Sequence, residues 1–363
     1  MIKWKCKTFV QVKCLQKGEA MKKFLALFGL LCAFCLVGVA CEEEPVHTHA
    51  FGEWQTTLVA TCEAMGEESR SCACGVSEKR NVTPTGQHQF EEGDSCTVCH
   101  ATKMLFYKLS EDKMSYIVFK NDENLTQVVV PSYYKGKPVT VVGSSAFYPC
   151  RQLVSITLPE TITSIELGAF EYCASLKSIV LPSSLTTLGE SAFSHCSSLE
   201  SVTLPQSLLT IGDSAFRYCS SLQKITLPLS LTHLGKSTFV SCTALTEIAI
   251  PASVTHIGSY AFSGCSALSQ VMLPSTLVEI GDSAFVGCQS LSEISIPASV
   301  ARIGAEAFLH CDALSNVILE QPAGWQYENM GREVPLAADV LAEPGMAATY
   351  LKKTYVPHPW IRR

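Results

Sequence analysis

A solenoid of stacked 23-residue repeats, each giving one strand to a parallel sheet, is the fold this sequence predicts. Three observations predict it. Cys150, Cys173, Cys196, Cys219, Cys242, Cys265, Cys288 and Cys311 recur at 23-residue intervals. Phe147, Phe170, Phe193, Phe216, Phe239, Phe262, Phe285 and Phe308 each stand three residues before one of those cysteines, and a leucine, from Leu153 to Leu314, stands three after each. The chain has 363 residues, 47% hydrophobic and 17% charged, a length that divides into two or three domains unless a periodic core grows by stacking. Composition excludes disorder, collagen and coiled coil.

The unit that begins at Ile211 reads I-G-x-x-A-F-x-x-C-x-x-L-x-x-I-x-L-P-x-x-L-x-x. Its L-x-x-I-x-L spacing and its period are those of a leucine-rich repeat. Within Leu222 to Leu227, Ile225 and Leu227 are two apart and point to one side of a short strand, while Thr226 points away. The proline that follows (Pro159, Pro182, Pro205, Pro228, Pro251, Pro274, Pro297) cannot donate to the ladder and ends each strand. Val254 and Ile257 then hold the return segment on the core, and Gly258 opens a short helical or 3₁₀ turn through Ala261 and Phe262. No unit buries its apolar stripe alone, so neighbours stack into one core. Val128-Val129-Val130 before Pro131 adds a ninth strand position, and Glu166-Leu167-Gly168, where Ile-Gly is shifted, predicts one irregular turn. The cysteine column sits where many leucine-rich repeats carry an Asn that satisfies backbone groups at the turn. Eight equivalent thiols in a row have no pairing scheme, so the column reads as a buried ladder of weak donors rather than disulfides.

Ahead of the repeats, Lys22 and Lys23 precede an uncharged stretch from Phe24 to Ala40 that ends in small residues before Cys41. This reads as an export signal, too short for a spanning helix. Residues 1–40 are the signal region, with translation expected to start at Met21, because signals rarely carry such an extension. The stretch resembles a bacterial lipoprotein signal with Gly38 where Leu is usual. That resemblance implies acylation of Cys41 as the first mature residue, with a stable membrane anchor from two or more chains. The whole chain carries 27 Lys+Arg and 33 Asp+Glu, net −6. Removing residues 1–40 takes seven Lys and one Glu and leaves 20 against 32, net −12. An acidic chain without a basic patch excludes a grip on nucleic acid, which rests on neutralising phosphates.

Residues 41–103 differ from the repeats. Positions 42–103 hold 11 acidic and four basic residues, five cysteines and four histidines. Cys72-Ala73-Cys74-Gly75 and Cys96-x-x-Cys99 are two paired cysteine turns, able to bring four thiolates around one structural zinc ion. Cys72, Cys74, Cys96 and Cys99 are the candidate ligands, with His88 as a substitute; disulfides and unligated thiols are the alternatives in an exported chain. A module this small needs such a staple. The text from His49-x-Phe51-Gly52-x-Trp54 to Cys96-x-x-Cys99 resembles a cysteine-rich accessory module of bacterial surface proteins.

No nucleophile elbow, phosphate loop, H-E-x-x-H or paired-carboxylate signal occurs, so no catalytic residue is assigned and the chain reads as non-enzymatic. His233 and His256, followed in column by Glu279 and Arg302, read as an exposed row, and His195 between Tyr172 and Tyr218 as surface stacking. The repeats offer instead a broad concave sheet face. It is made of the residues between the strand apolars, Val180, Thr203, Thr226, Ala249, Met272, Ser295 and Ile318. Lys224, Glu247, Gln270 and Glu293 add modest polarity beside it. Such a face suits protein contact better than enclosure of a small molecule. Both solenoid ends need caps: residues 104–146 before the repeats of 147–320, and residues 321–363 after them. In the second cap, Trp325 and Tyr327 cover the last Phe layer and Pro344 to Tyr355 reads as a short helix.

Across about residues 125–320 the motif I-G-x-x-A-F-x-x-C-x-x-L-x-x-I-x-L-P-x-S-L-x-x resembles the BspA-type leucine-rich repeat proteins of bacterial cell surfaces. The resemblance implies adhesion to host matrix proteins, coaggregation and surface recognition. The expectation is therefore an exported, membrane-anchored lipoprotein at the cell surface. Its repeat face would bind host or bacterial surface and matrix proteins as an adhesin; the alternative is a self-associating scaffold of the cell envelope.

Overall fold

The computed structural model describes residues 50–58, 60–62, 65–73, 75–85, 87–89, 96–120, 122, 124–329, 332–354 and 357–363. The signal region, Cys41 and Cys74 lie outside them. The chain divides into two compact units, Met1–Thr57 with Glu68–Arg80, and Leu58–Glu67 with Asn81–Arg363. Strands Gln55–Leu58, Gly66–Ser71 and Ser77–Val82 form a sheet in that order. In the first unit, the Arg70 guanidinium lies 4.6 Å from the Trp54 ring centre and bonds Glu78, while Arg80 covers Trp54 at 4.3 Å and pairs with Glu68.

The second unit is the solenoid. On the face side the alternation is strict: Ile179 and Leu181 are buried and Val180 between them is exposed. Neighbouring strands pair in parallel in the 23-residue register, as in Ser178↔Ser201, Ile179↔Val202 and Val180↔Thr203. The single continuous sheet expected here is broken into two-stranded pieces. Gln127–Val129 pairs Ser155–Thr157, Ser178–Val180 pairs Ser201–Thr203, Glu247–Ala249 pairs Gln270–Met272, and Glu293–Ile296 pairs Asn316–Leu319. Lys224 makes one isolated bridge to Ser201. Most of these strands are three residues long and run into a leucine or isoleucine followed by proline, so few ladder bonds remain to join neighbours.

The longer ladder runs through the return segments, which the sequence had suggested only as core-contacting. Ser164–Ile165, Thr187–Leu188 and Thr210–Ile211 extend in parallel from Lys137–Val142. His233–Leu234, His256–Ile257, Glu279–Ile280 and Arg302–Ile303 form the second half. Except at Ile165-Glu166, glycine follows each of these isoleucines and leucines because consecutive turns nearly touch: a Cβ on Gly212 would stand 2.5 Å from the carbonyl carbon of Gly189.

The expected short helical or 3₁₀ turns are present as runs of tight i→i+3 turns from Gly to Cys, such as Ala261 N to Gly258 O and Cys265 N to Phe262 O, and do not extend into a helix. Left-handed residues interrupt each arc, for example Ser191 (φ 54°) and His195 (φ 60°), and a left-handed residue cannot continue a right-handed helix. The backbone is nevertheless satisfied. Phe193 N donates to Ala215 O in the next repeat at 2.8 Å, and Cys196 N to Phe193 O at 3.2 Å. Inside, the eight phenylalanine rings stack nearly parallel, with centroids 5.1–5.6 Å apart and interplanar angles of 5–10°. All eight are fully buried.

Each end is closed. Before the repeats, Leu105–Leu109 pairs antiparallel with Tyr116–Lys120, which pairs in parallel with Lys137–Val142. Tyr133–Tyr134 folds back on Lys137 and Pro138, and Tyr134 stacks on Tyr107 at 4.0 Å. After the repeats, Trp360–Arg362 pairs antiparallel with Arg302–Ile303 and continues the ladder into Trp325–Asn329 and Arg332–Pro335. Trp325 and Trp360 are buried there. Helix Pro344–Thr349 packs against Asn316–Leu319 and runs into a π-helical segment, Tyr350–Thr354. No helix among the described residues is long and apolar enough to cross a membrane.

Candidate functional site

The cysteine column illustrates how the interior is finished. The first thiol, Cys150, points at Asp122 O. From Cys173 to Cys311 each thiol points at the phenylalanine carbonyl of the preceding repeat: Cys196 to Phe170 O and Cys219 to Phe193 O at 3.1 Å, Cys311 to Phe285 O at 3.0 Å. That oxygen already accepts the amide of the cysteine in its own repeat, so the thiol fills its second lone pair. Burial pushes Cys265 up to about 12 and Cys196 and Cys242 well beyond the usual range. A group held neutral and buried is a structural donor, not a nucleophile.

The strand face is where side chains reach solvent in register. Val180, Met272 and Ile318 are 73, 63 and 48% exposed, and Thr203, Thr226, Ala249 and Ser295 are exposed between them. Parallel pairing places Val180 beside Thr203, Ala249 beside Met272 and Ser295 beside Ile318. One column over, Lys224 and Glu247 pair at 2.8 Å, and the Asn316 amide donates to Glu293 at 3.3 Å. Lys224 and Glu247 neutralise each other, while Glu293 keeps its charge beside a neutral amide. Gln270, Met272, Glu293, Ser295, Asn316 and Ile318 border a depression of about 320 Å³, and Thr203, Gln206, Lys224 and Thr226 a second of about 300 Å³. Both are open and shallow, the relief of a protein-contact surface rather than a closed ligand pocket.

On the opposite ladder, His233, His256, Glu279 and Arg302 stand in register. His233 and His256 face solvent, each with a neighbouring threonine hydroxyl at 3.1 and 2.8 Å. Arg302 bonds Glu279 at 2.7 Å and Asp282 at 2.8 Å. This row is a chain of side-chain pairs. In another column the His195 ring stacks on Tyr172 at 4.2 Å and meets Tyr218 at 4.5 Å. Burial, and then the nearby Arg217 charge, lower the His195 pKa from its usual value.

Among the described residues, one group of Cys and His side chains could hold a metal ion: Cys62, His88, Cys96 and Cys99, whose ligating atoms lie within 4.8 Å of one another. All four belong to the second unit. Cys96 and Cys99 come from the C-x-x-C turn, in which His100 N donates to Cys96 O. Cys62 and Cys96 are buried beside Ala101, with Cys99 against them. Burial raises the Cys96 thiol, but hydrogen bonding with the Cys99, Val98 and Gln89 backbone and with the His88 ring outweighs it and lowers the thiol to about 6. Burial pushes Cys99 up, and its thiol neighbours Cys96 and Cys62 add to that. Cys72 is not a member of this group. It bridges Phe51, and its amide donates to Val76 O at 2.8 Å. The paired-cysteine pattern pointed to Cys72 because it sits in a C-x-C. Cys62 has no such partner in sequence, and only the fold brings it to Cys96.

The family model described as BspA type leucine rich repeat region matches residues 112–246 and 232–327, in six copies. No curated protein matches the chain. Among solved structures, a leucine rich repeat protein of T. pallidum is 30% identical, with 58% of this chain and 88% of that one covered and a TM-score of 0.48. A leucine-rich repeat protein from Bacteroides ovatus ATCC 8483 is 26% identical over 59% of this chain and 69% of that one, TM-score 0.45. A leucine rich cell surface protein from Faecalibacterium prausnitzii A2-165 is also 26% identical, over 68% of this chain and 60% of that one, TM-score 0.48.

Proposed function

We propose, from the premise that the chain belongs to the BspA-type leucine-rich repeat family, that it is a non-enzymatic surface protein. Its strand face binds a protein of the host matrix or of another cell. The observation that carries this reading is the row Val180, Thr203, Thr226, Ala249, Met272, Ser295, Ile318, exposed and itself uncharged, with the Lys224–Glu247 ion pair beside it. A surface of small and apolar groups at the centre with polar groups at its edge is what protein partners bury. Charged groups at the edge set orientation and on-rate more than affinity. Export and acylation of Cys41 would hold this face outside the cell; a lipid-labelled chain whose label is lost on Cys41→Ser supports the anchor.

The test of binding is a panel of immobilised matrix and plasma proteins probed with the purified full chain. Saturable binding to one of them supports the adhesin reading. No binding, together with concentration-dependent growth of the particle in light scattering, replaces it with a self-associating envelope scaffold.

A further inference from the structure

We propose that Cys62, His88, Cys96 and Cys99 are the ligands of one structural zinc ion, which ties the cysteine-rich segment to the first cap of the solenoid. The distances fit. The Cys62 and Cys96 sulfurs are 4.0 Å apart and His88 Nδ1 lies 3.2 Å from Cys99 Sγ. Zinc bonds of about 2.3 Å to sulfur and 2.0 Å to nitrogen, in tetrahedral geometry, separate sulfur pairs by about 3.8 Å and sulfur–nitrogen pairs by about 3.6 Å. A disulfide instead requires about 2.05 Å, so the four groups are arranged around a common centre and not as a bonded pair.

The histidine supplies an independent sign. His88 Nε2 is 2.9 Å from the carbonyl oxygen of Tyr133. A carbonyl only accepts, so Nε2 carries the proton and Nδ1 presents its lone pair to the sulfurs. A metal-bound imidazole with its far N–H fixed by a backbone carbonyl is the usual outer-shell arrangement. Tyr133 belongs to the strand that turns back on Lys137 and Pro138. Lys137–Val142 begins the repeat ladder at Val141↔Ser164. The bond from His88 therefore couples ligand geometry to the first rung of the solenoid.

The donor set decides the metal and its role. Three thiolates and one imidazole form a closed soft set that suits tetrahedral zinc. With four protein ligands no position is left for water or substrate, so the ion stabilises and does not catalyse. Binding releases the thiol protons and so strengthens with pH.

Elemental analysis of the full chain, purified with a reductant and dialysed against zinc, tests this. Close to one zinc per chain is expected, lost in Cys62→Ser and Cys99→Ser but kept in Cys72→Ser. Should His88→Ala fail to fold, His88→Cys serves instead and is expected to keep zinc as a four-thiolate site. Cobalt in place of zinc should give tetrahedral ligand-field and thiolate charge-transfer bands, with the intensity of the latter rising in His88→Cys. Removal of the ion by a chelator should speed amide exchange in 133–142 while leaving the repeats of 240–320 unchanged. Less than about a tenth of an equivalent of zinc, another metal in its place, a Cys62–Cys96 or Cys96–Cys99 disulfide that survives the reductant, or zinc lost only in Cys72→Ser would overturn the assignment.

Discussion

The Cys219 thiol donates to the carbonyl oxygen of Phe193, one repeat back, at 3.1 Å, and that same oxygen accepts the amide of Cys196 at 3.2 Å. A side chain of one unit thus finishes the turn of its predecessor. Repeated along the column, this couples every repeat to the one before it, which is how a chain whose units cannot fold alone acquires one cooperative core.

Cys219→Ala removes the second donor but leaves Phe193 O with the Cys196 amide. The expected cost is the net worth of one hydrogen bond, about 0.5–1.5 kcal/mol, plus a small void. Denaturant unfolding of the full chain measures it. A loss of about 4 kcal/mol or more would mean that the thiol does something this geometry does not show.

The same burial predicts chemical silence. At pH 8 Cys219, Cys242 and Cys265 are neutral, because burial pushes Cys265 up to about 12 and the other two in the same direction. Iodoacetamide should leave Cys196 to Cys311 unlabelled in the native protein and modify all of them after unfolding. Peptide mass spectrometry reads this directly, and ladder thiols found oxidised in the unfolded, unreduced chain would contradict it.

The phenylalanine stack carries more. Phe216 is fully buried, with Phe193 and Phe239 rings 5.6 and 5.5 Å away on either side. Phe216→Ala opens a cavity that neighbours on a stitched backbone cannot collapse into, at a cost of about 3–5 kcal/mol. The same truncation at exposed Tyr148 should cost far less, and comparison of the two by thermal unfolding checks that the stack, not aromatic content, is responsible.

His195 and Glu171, which stands one column over with Ser194 and Arg217, titrate with opposite signs. Burial, with Arg217, lowers His195, so the folded state resists its protonation and stability falls as pH drops below the unfolded value of 6.5. Burial raises Glu171 against the opposing Ser194 and Arg217, so its ionisation costs stability as pH rises above 4.5. His195→Gln should flatten the loss between pH 6.5 and 5, whereas Glu171→Gln should raise stability at pH 7 and change little at pH 4. Unfolding curves at these pH values decide it; an unchanged acid slope in His195→Gln would remove the histidine from the explanation.

The solenoid was legible because a 23-residue period with Phe, Cys and Leu at fixed offsets admits one interior. Each of those columns is buried where the spacing put it. Less legible was the division of strand pairing between the two sides. Ile225 and Leu227 marked a strand plainly, yet the longer ladder lies at Ile211 and Ile257, where only two residues per repeat are extended. A two-residue strand leaves no alternation to read. The glycine after it was taken for a turn opener, and its close approach to the previous repeat depends on stacking that one unit cannot reveal. The group that could hold a metal was half visible. Cys96-x-x-Cys99 announced itself through spacing, while Cys62, 34 residues from Cys96, had no local signal.

The measurement that bears most directly on the strand face as the binding surface compares two triple variants carrying equal added charge. Thr203→Glu, Thr226→Glu and Met272→Glu alter the face; Thr187→Glu, Thr210→Glu and His256→Glu alter exposed positions on the opposite ladder. For a partner identified on the panel, the first variant should lose affinity by about 100-fold or more, as buried charge at an interface centre costs several kcal/mol. Its Tm should remain that of the parent, and the second variant should bind like the parent. Unchanged affinity in the first variant, or a loss confined to the second, would contradict the account.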